Sequence, residues 1–190
     1  KVKGLILLNH GIFTFANDAK ESYELMIKYI SLAEKELKQK SKSIRVKKYQ
    51  EKKITASLIA NLIRQQISIK TNQQIDRKVV YFHKPNFLDE FFSHSKLKQY
   101  TTQGPVTPDH VIRIKSKPLV IDLSGEKSVN LESKIIKAIQ KYQDDYQKYF
   151  KRNHKYNLKA NMLDPYPRLI VAKGIGMFST GPSLKDAKIA

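Results

Sequence analysis

His10 is the residue whose side chain and position most directly suggest chemistry. It follows the apolar run at residues 3–8 and Asn9, and it precedes Gly11, which lets the backbone turn sharply. A continuous apolar run predicts a buried strand, and α/β proteins place ligands at the carboxyl ends of strands. Neutral imidazole is a common zinc ligand, so His10 is a candidate metal ligand. Spacing alone favours a histidine that only caps the strand end by hydrogen bonding, because one imidazole does not make a metal site.

The other histidines are weaker candidates. His110 lies in the stretch Thr-Pro-Asp-His, directly after Asp109. It is a possible second site, and the alternative is a structural loop in which Asp109 caps the element that follows. The remaining histidines are expected on the surface or in loops: His83, His94 and His154.

Two further patterns look like binding motifs only superficially. The stretch 174–181 reads Gly-x-Gly-x-x-x-x-Gly, which lacks the spacing of a dinucleotide-binding loop, so we expect a turn beside a degenerate site. Tyr142, Tyr146 and Tyr149 recur at helical spacing. That spacing favours packing against a sheet over stacking on nucleic-acid bases.

Strands and helices alternate along the chain. Asp18, followed three residues later by Glu21, predicts a capped helix start. The second helix is expected to carry Ile54, Leu58 and Leu62 on one face, which Gln65 could extend. The predicted helices cover about 18–40, 54–67, 86–92 and 131–150 and a last one from Ser183, and the predicted strands cover 3–8, 79–82, 118–123 and 169–172. This order predicts an α/β fold, layered and with a mainly parallel sheet flanked by helices.

The start of the chain is similar to its end. When it is shifted by 165 residues, Gly11 falls on Gly176 and Phe13 falls on Phe178, while His10 falls on Ile175. Both segments read as strand, glycine turn and helix cap. The similarity predicts a duplicated unit whose second copy has lost the imidazole and kept the fold. The expected organisation is a first domain over 1–40, a Lys- and Gln-rich linker over 41–53, and a second α/β unit over 54–190.

The composition limits the possible classes. The 190 residues carry 36 Lys and Arg against 17 Asp and Glu, a net charge of +19, with no Cys. Disulfides and thiolate metal sites are therefore excluded. Nucleic-acid binding is an open alternative but is disfavoured, because most of the basic residues are Lys and they are spread along the chain. No apolar run approaches the roughly 20 residues that span a bilayer. We expect a cytoplasmic protein without membrane contact.

Three blocks of the sequence resemble the class II aldolase and adducin-head family. The first runs from Gly4 to Phe15 (Gly-Leu-Ile-Leu-Leu-Asn-His-Gly-Ile-Phe-Thr-Phe), with Ala19–Glu24 after it. The second is Gly104–Arg113 and the third is Asp164–Phe178. The second and third blocks resemble above all the bifunctional members that join a rhamnulose-1-phosphate aldolase to a short-chain dehydrogenase.

The resemblance implies a role for His10 and a longer parent protein. In that family three histidines hold Zn²⁺ and a glutamate acts as acid and base. His10 matches the third histidine, and the chain starts at Lys1 rather than Met, so the other two ligands and the glutamate are expected before it. Relatives usually have Gly where this chain has Ala16, a substitution tolerated if φ there is negative.

The resemblance also implies a reaction and partners. The parent would be a zinc-dependent lyase that cleaves a ketose 1-phosphate such as rhamnulose 1-phosphate and forms a homo-oligomer, while the isolated chain is expected to be inactive. Two other functions stay open. One is a non-catalytic, adducin-like scaffold or oligomerisation module, and the other is a basic nucleic-acid-binding protein.

Overall fold

The chain divides into two compact units in the computed structural model, which describes residues 2–41, 55–70, 75–123 and 128–190. The first unit holds the described residues up to Ser41 together with Pro105–Val111. The second holds the described residues from Thr55 to Gly104 and from Ile112 to Ala190. Within the described ranges, no helix is long and apolar enough to cross a membrane. The predicted linker, apart from Ser41, lies outside the described residues.

The first unit contains a β-hairpin and a long helix. Strands β1 (Gly4–Leu7) and β2 (Gly11–Thr14) pair antiparallel, and α1 (Ala19–Lys40) follows. The Asp18 side chain accepts a hydrogen bond from the Glu21 backbone N–H at 2.8 Å, which confirms the predicted cap.

The prediction that the first strand is buried is wrong for the described chain. Leu5, Ile6 and Leu8 are 47%, 71% and 86% exposed. An apolar run indicates that burial would be favourable. One hairpin and one helix, however, form too small a structure to cover all of these side chains.

The second unit is a four-stranded sheet with helices, so the α/β class is confirmed. Its regular elements are α2 (Ala56–Ile67), β3 (Ile69–Lys70), β4 (Ile75–Asp76), β5 (Val79–His83), α3 (Asp89–Ser93), α4 (Leu97–Thr101), α5 (Pro108–Ile114, which begins in the first unit), β6 (Leu119–Ile121), α6 (Ser128–His154), β7 (Leu169–Ala172), β8 (Gly176–Gly181) and α7 (Leu184–Ile189). A 3-10 turn, Asn86–Leu88, precedes α3.

The expectation of a mainly parallel sheet is wrong. The strand order is β5-β8-β7-β6, and of its three pairings only β6 with β7 is parallel. The error arises at Gly176–Gly181, which the sequence predicts as a loop and which forms β8, hairpin-paired to β7. An antiparallel neighbour requires only a tight turn, whereas a parallel one needs a crossover such as α6.

The core of the second unit lies between the sheet and two helices. From α2 it takes Ile59, Ile63 and Ile67, all fully buried. The predicted face of this helix is correct at Leu62, which packs against this core. It is wrong at Leu58 and Gln65, which are exposed, and Ile54 lies outside the described residues. The other members of this cluster come from the β6 region, α6, β7 and β8: Leu119, Ile121, Leu123, Leu131, Ile135, Ile139, Ile170, Ala172 and Phe178.

The tyrosines of α6 follow the predicted packing only in part. Tyr142 packs against the core, as its spacing predicts. Tyr149 is 40% exposed, and its ring stacks on that of Tyr146 with 6.2 Å between centroids. The row of three tyrosines on α6 therefore begins at the core, with Tyr142, and ends at the protein surface, with Tyr149.

The two hairpins share one register at the predicted offset of 165 residues. Leu5 pairs with Phe13 in the first hairpin, and Ile170 pairs with Phe178 in the second; every other pair of β1–β2 has its counterpart in β7–β8. Asn9 and Gly174, at matching positions in the two turns, both have positive φ, 61° and 73°.

The helix starts that follow the hairpins match as well. Ser183, at the position of Asp18, caps α7 by accepting a hydrogen bond from the Asp186 backbone N–H at 3.2 Å. The Thr14 hydroxyl donates to the Ser22 carbonyl at 2.8 Å, and the Ser179 hydroxyl donates to the Ala187 carbonyl in the same way. The similarity seen in the sequence therefore extends to the backbone and its hydrogen bonds.

Candidate functional site

The turn between β1 and β2 positions His10. The His10 backbone N–H donates to the Leu7 carbonyl at 3.1 Å, and Gly11 has a φ of 141° that a side chain would strain. Asn9 has a φ of 61°, a region that Asn tolerates better than most residues. Ala16 does not have a positive φ, so the turn geometry there is one that alanine tolerates. The local sequence therefore places His10 immediately before β2.

The His10 ring is accessible to a ligand from solvent. It is exposed, and its Nδ1 lies 3.2 Å from the Leu8 carbonyl oxygen. With the proton on Nδ1, this contact holds the tautomer in which Nε2 presents a lone pair, the arrangement usual for a zinc-bound imidazole. The described residues contain no group of three His, Cys, Asp or Glu side chains that could hold a metal. The geometry fits one ligand, and His10 as a metal ligand stays a prediction.

His110 makes a local contact near the start of α5. Its Nδ1 lies 2.7 Å from the Thr107 hydroxyl oxygen, and Asp109 is in the first turn of the helix. The second site at His110 also stays a prediction. His154 packs on Phe150 with 5.0 Å between ring centroids, and the His94 Nδ1 accepts from the Lys96 N–H at 2.9 Å.

In the second hairpin the position of His10 belongs to the core. The Ile175 N–H donates to the Ala172 carbonyl at 3.0 Å, as His10 does to Leu7. The Ile175 side chain packs against the main core cluster. The same turn thus presents an imidazole in one unit and an aliphatic side chain in the other, so the second hairpin has no nitrogen ligand at this position.

A buried lysine lies in the second unit, and sequence reasoning missed it. Lys115 follows α5 directly with a φ of 65°, and its side chain is 3% exposed. Its ammonium donates to the Tyr166 carbonyl at 2.6 Å and also to the Asp164 carbonyl. The Asp164 carboxylate lies 3.7 Å from that ammonium and 3.1 Å from the Arg168 guanidinium. The cluster ties the turn 164–167 to the end of α5.

Burial determines the ionisation of this cluster. It lowers the pKa of Lys115 to about 8, and the negative charge of Asp164 opposes part of that effect. Lys115 is therefore protonated at neutral pH and held by backbone carbonyls. Two backbone carbonyls accept hydrogen bonds from the ammonium, and the side chain is 3% exposed. This arrangement favours a structural cation over a nucleophile.

The signal for this cluster was present but incomplete. Lys115 comes two residues after one of the blocks that resemble bifunctional aldolases, and Asp164 and Arg168 lie in another. Lys115 and Asp164 are 49 residues apart, so no local pattern could show that they meet.

The chain has relatives among known proteins. The family described as "Aldolase class II, second domain" matches residues 54–190. "Uncharacterized oxidoreductase YuxG" from Bacillus subtilis (strain 168) is 25% identical over 197 residues, which cover 98% of this chain and 27% of that protein. The chain therefore spans about a quarter of the length of this relative. No solved structure matches the chain at a significant level.

Proposed function

Because this chain belongs to the class II aldolase family, whose second domain it contains, we propose that it is part of a metal-dependent lyase that cleaves a ketose 1-phosphate. Rhamnulose 1-phosphate is the substrate that the sequence resemblance favours. The observation that carries the proposal is the His10 turn, which presents one ring nitrogen while the other contacts a backbone carbonyl at 3.2 Å. A bound Zn²⁺ would supply Lewis-acid stabilisation of the negative charge that develops on substrate oxygens.

His10 would contribute one neutral nitrogen to that metal. The Leu8 carbonyl would hold the ring in the required tautomer, and the positive φ values at Asn9 and Gly11 fix the turn that carries it. The remaining ligands and the acid–base group would come from residues outside the described ranges. On this basis we expect the isolated 190-residue chain to be inactive.

The matched hairpins support a division of labour between the two units. The first, with His10, would be the end of a catalytic aldolase-like domain. The second repeats its strand register and helix cap, but Ile175 fills the position of the imidazole. We propose that the second unit is a degenerate copy with a structural role.

A fused dehydrogenase domain would explain why a relative of this chain is named an oxidoreductase. YuxG is several times longer than the aligned region, since the alignment covers 27% of it. We propose that the parent of this chain likewise carries a short-chain dehydrogenase domain, and that the field of a chain with net charge +19 favours its phosphorylated substrate. Homo-oligomerisation stays a prediction.

His10→Ala in the full-length parent protein tests the proposed function. We expect zinc affinity to fall at least about tenfold and retro-aldol cleavage of rhamnulose 1-phosphate to fall at least about a hundredfold, because a metal ligand is lost. Zinc content by mass spectrometry and aldehyde release are the two measurements.

The matched control is His83→Ala, which removes another exposed imidazole and should leave both readouts within about twofold. A His10→Ala protein that keeps its zinc and its activity would overturn the proposal. A parent protein that binds no zinc and cleaves no ketose phosphate would favour the scaffold function instead.

A further inference from the structure

We propose that a groove on the second unit binds a small ligand with clustered negative charge, such as a phosphate ester or a diphosphate. The groove has a volume of about 590 Å³ and lies between α4, the segment that enters β6, and α6. That volume is within the roughly 300–1,000 Å³ typical of sites for small molecules. The inference does not depend on the proposed aldolase function, since none of its residues belongs to the His10 turn.

Positive charge dominates the lining. Five cationic side chains line the groove with a single carboxylate, whereas the whole chain has 36 basic and 17 acidic residues. The imbalance therefore exceeds what the Lys-rich composition provides. The five are Lys98, Lys117, Lys141, Lys148 and Arg152.

The one carboxylate in the lining is already paired. Asp145 forms an ion pair of 3.4 Å with Lys141, one turn away on α6. The other four cations therefore face no further carboxylate within the lining. A concave surface with one sign of charge concentrates field lines and attracts ligands of the opposite sign.

The aromatic wall of the groove adds no negative charge. Burial raises the pKa of the Tyr142 and Tyr146 phenols, so both stay neutral. The Tyr142 hydroxyl donates to the Lys117 carbonyl at 3.0 Å, which ties α6 to the segment before β6. The buried Lys115 ammonium lies 4.3 Å from the centre of the Tyr146 ring. This wall is thus fixed in place and backed by a further cation.

The arrangement favours a small anion over a nucleic acid. Phosphate groups are bound by Arg forks and by Lys as a point charge, and both types are present at the end of α6, in Lys148 and Arg152. Single-stranded nucleic acid would need an extended basic track with several exposed aromatic rings. Here Tyr149, at 40% exposure, is the most exposed aromatic ring in the lining.

Titration of the 190-residue chain with inorganic pyrophosphate tests the groove. Isothermal calorimetry should show saturable binding of one pyrophosphate per chain. The double variant Lys148→Gln/Arg152→Gln should weaken that binding at least about tenfold, because two charge-assisted contacts are lost. The matched control is Lys137→Gln/Lys151→Gln, which removes the same charge from exposed positions of α6 outside the groove and should weaken binding less than about threefold.

Three results would overturn the proposal. Pyrophosphate binding that does not saturate, or that both double variants weaken equally, would reduce the effect to general charge attraction. A single-stranded 20-nucleotide DNA that displaces pyrophosphate and binds at least about a hundredfold more tightly would identify a nucleic-acid surface instead. Circular dichroism of each variant checks that the fold is kept, which is expected because all four substituted side chains are exposed.

Discussion

Gly176→Ala is expected to lower the free energy of unfolding of the second unit by about 3–5 kcal/mol. Gly176 begins β8 with a φ of 144°, and the backbone of a residue with a side chain is strained in this conformation. A Cβ atom there would lie 2.8 Å from the Phe82 ring and 3.1 Å from the His83 carbonyl oxygen. Because the carbonyl belongs to the paired strand β5, relief of the contact would require β5 and β8 to separate.

Gly104→Ala in the same unit separates the effect of backbone strain from the effect of the steric clash with β5. Gly104 also has a positive φ, 106°, but a Cβ atom there would meet nothing within 4 Å. Chemical denaturation should therefore show a loss of about 1–3 kcal/mol for Gly104→Ala, from backbone strain alone. Amide exchange in β5 and β8 should accelerate only in Gly176→Ala, because these are the two strands that the contact would separate. Equal losses for the two variants would show that the close approach to β5 does not matter.

Lys115→Met is expected to lower the free energy of unfolding by about 2–3 kcal/mol at pH 7. Methionine keeps most of the volume but cannot donate, so the Asp164 and Tyr166 carbonyls lose the ammonium that they share. The loss stays below the 3–5 kcal/mol typical of a broken buried pair, because the Arg168 guanidinium remains 3.1 Å from the Asp164 carboxylate. The desolvation cost of the buried charge also disappears.

The pH dependence of this difference has a definite sign. Burial lowers the pKa of Lys115 from 10.5 to about 8, so between these pH values the unfolded chain binds more protons at this group than the folded chain. Stability rises with pH wherever the unfolded state binds more protons. The stability advantage of the native protein over Lys115→Met should therefore be constant below about pH 7 and grow from about pH 8 to 10.5.

Denaturant titrations of both proteins between pH 6 and about pH 10 measure that advantage. Lys117→Met, two residues along and exposed, is the matched control and should change stability by less than about 0.5 kcal/mol at any of these pH values. A Lys115→Met protein as stable as the native one, with no pH-dependent difference, would show that the buried ammonium is not held as described.

The sequence by itself determined the local elements of this protein. Asp18 and Ser183 start helices because their side-chain oxygens accept from backbone N–H groups three residues later, a contact encoded within one turn. Strand β7 has the bounds that its apolar run predicts. The repeat at an offset of 165 residues was also visible, because glycine and cap positions recur wherever the same turn is built.

Family membership was predictable from the sequence as well, whereas metal binding at His10 stays a prediction. Two of the blocks that carry the resemblance, Gly104–Arg113 and Asp164–Phe178, lie within residues 54–190, which the family match covers. A metal site needs several ligands in one place, and the described residues show one imidazole beside one backbone carbonyl.

Only the tertiary structure decided which strands pair and which side chains meet. Gly176–Gly181 has loop-like composition but becomes a strand because β5 and β7 satisfy its backbone hydrogen bonds on both sides. The buried face of α2 follows from where the sheet lies, and the meeting of Lys115 with Asp164 spans 49 residues. Short sequence patterns predict the hydrogen bonds of a helix cap or a turn, because the residues involved are close in sequence. Pairing and burial instead depend on residues distant in sequence, whose positions are fixed only when the whole unit folds.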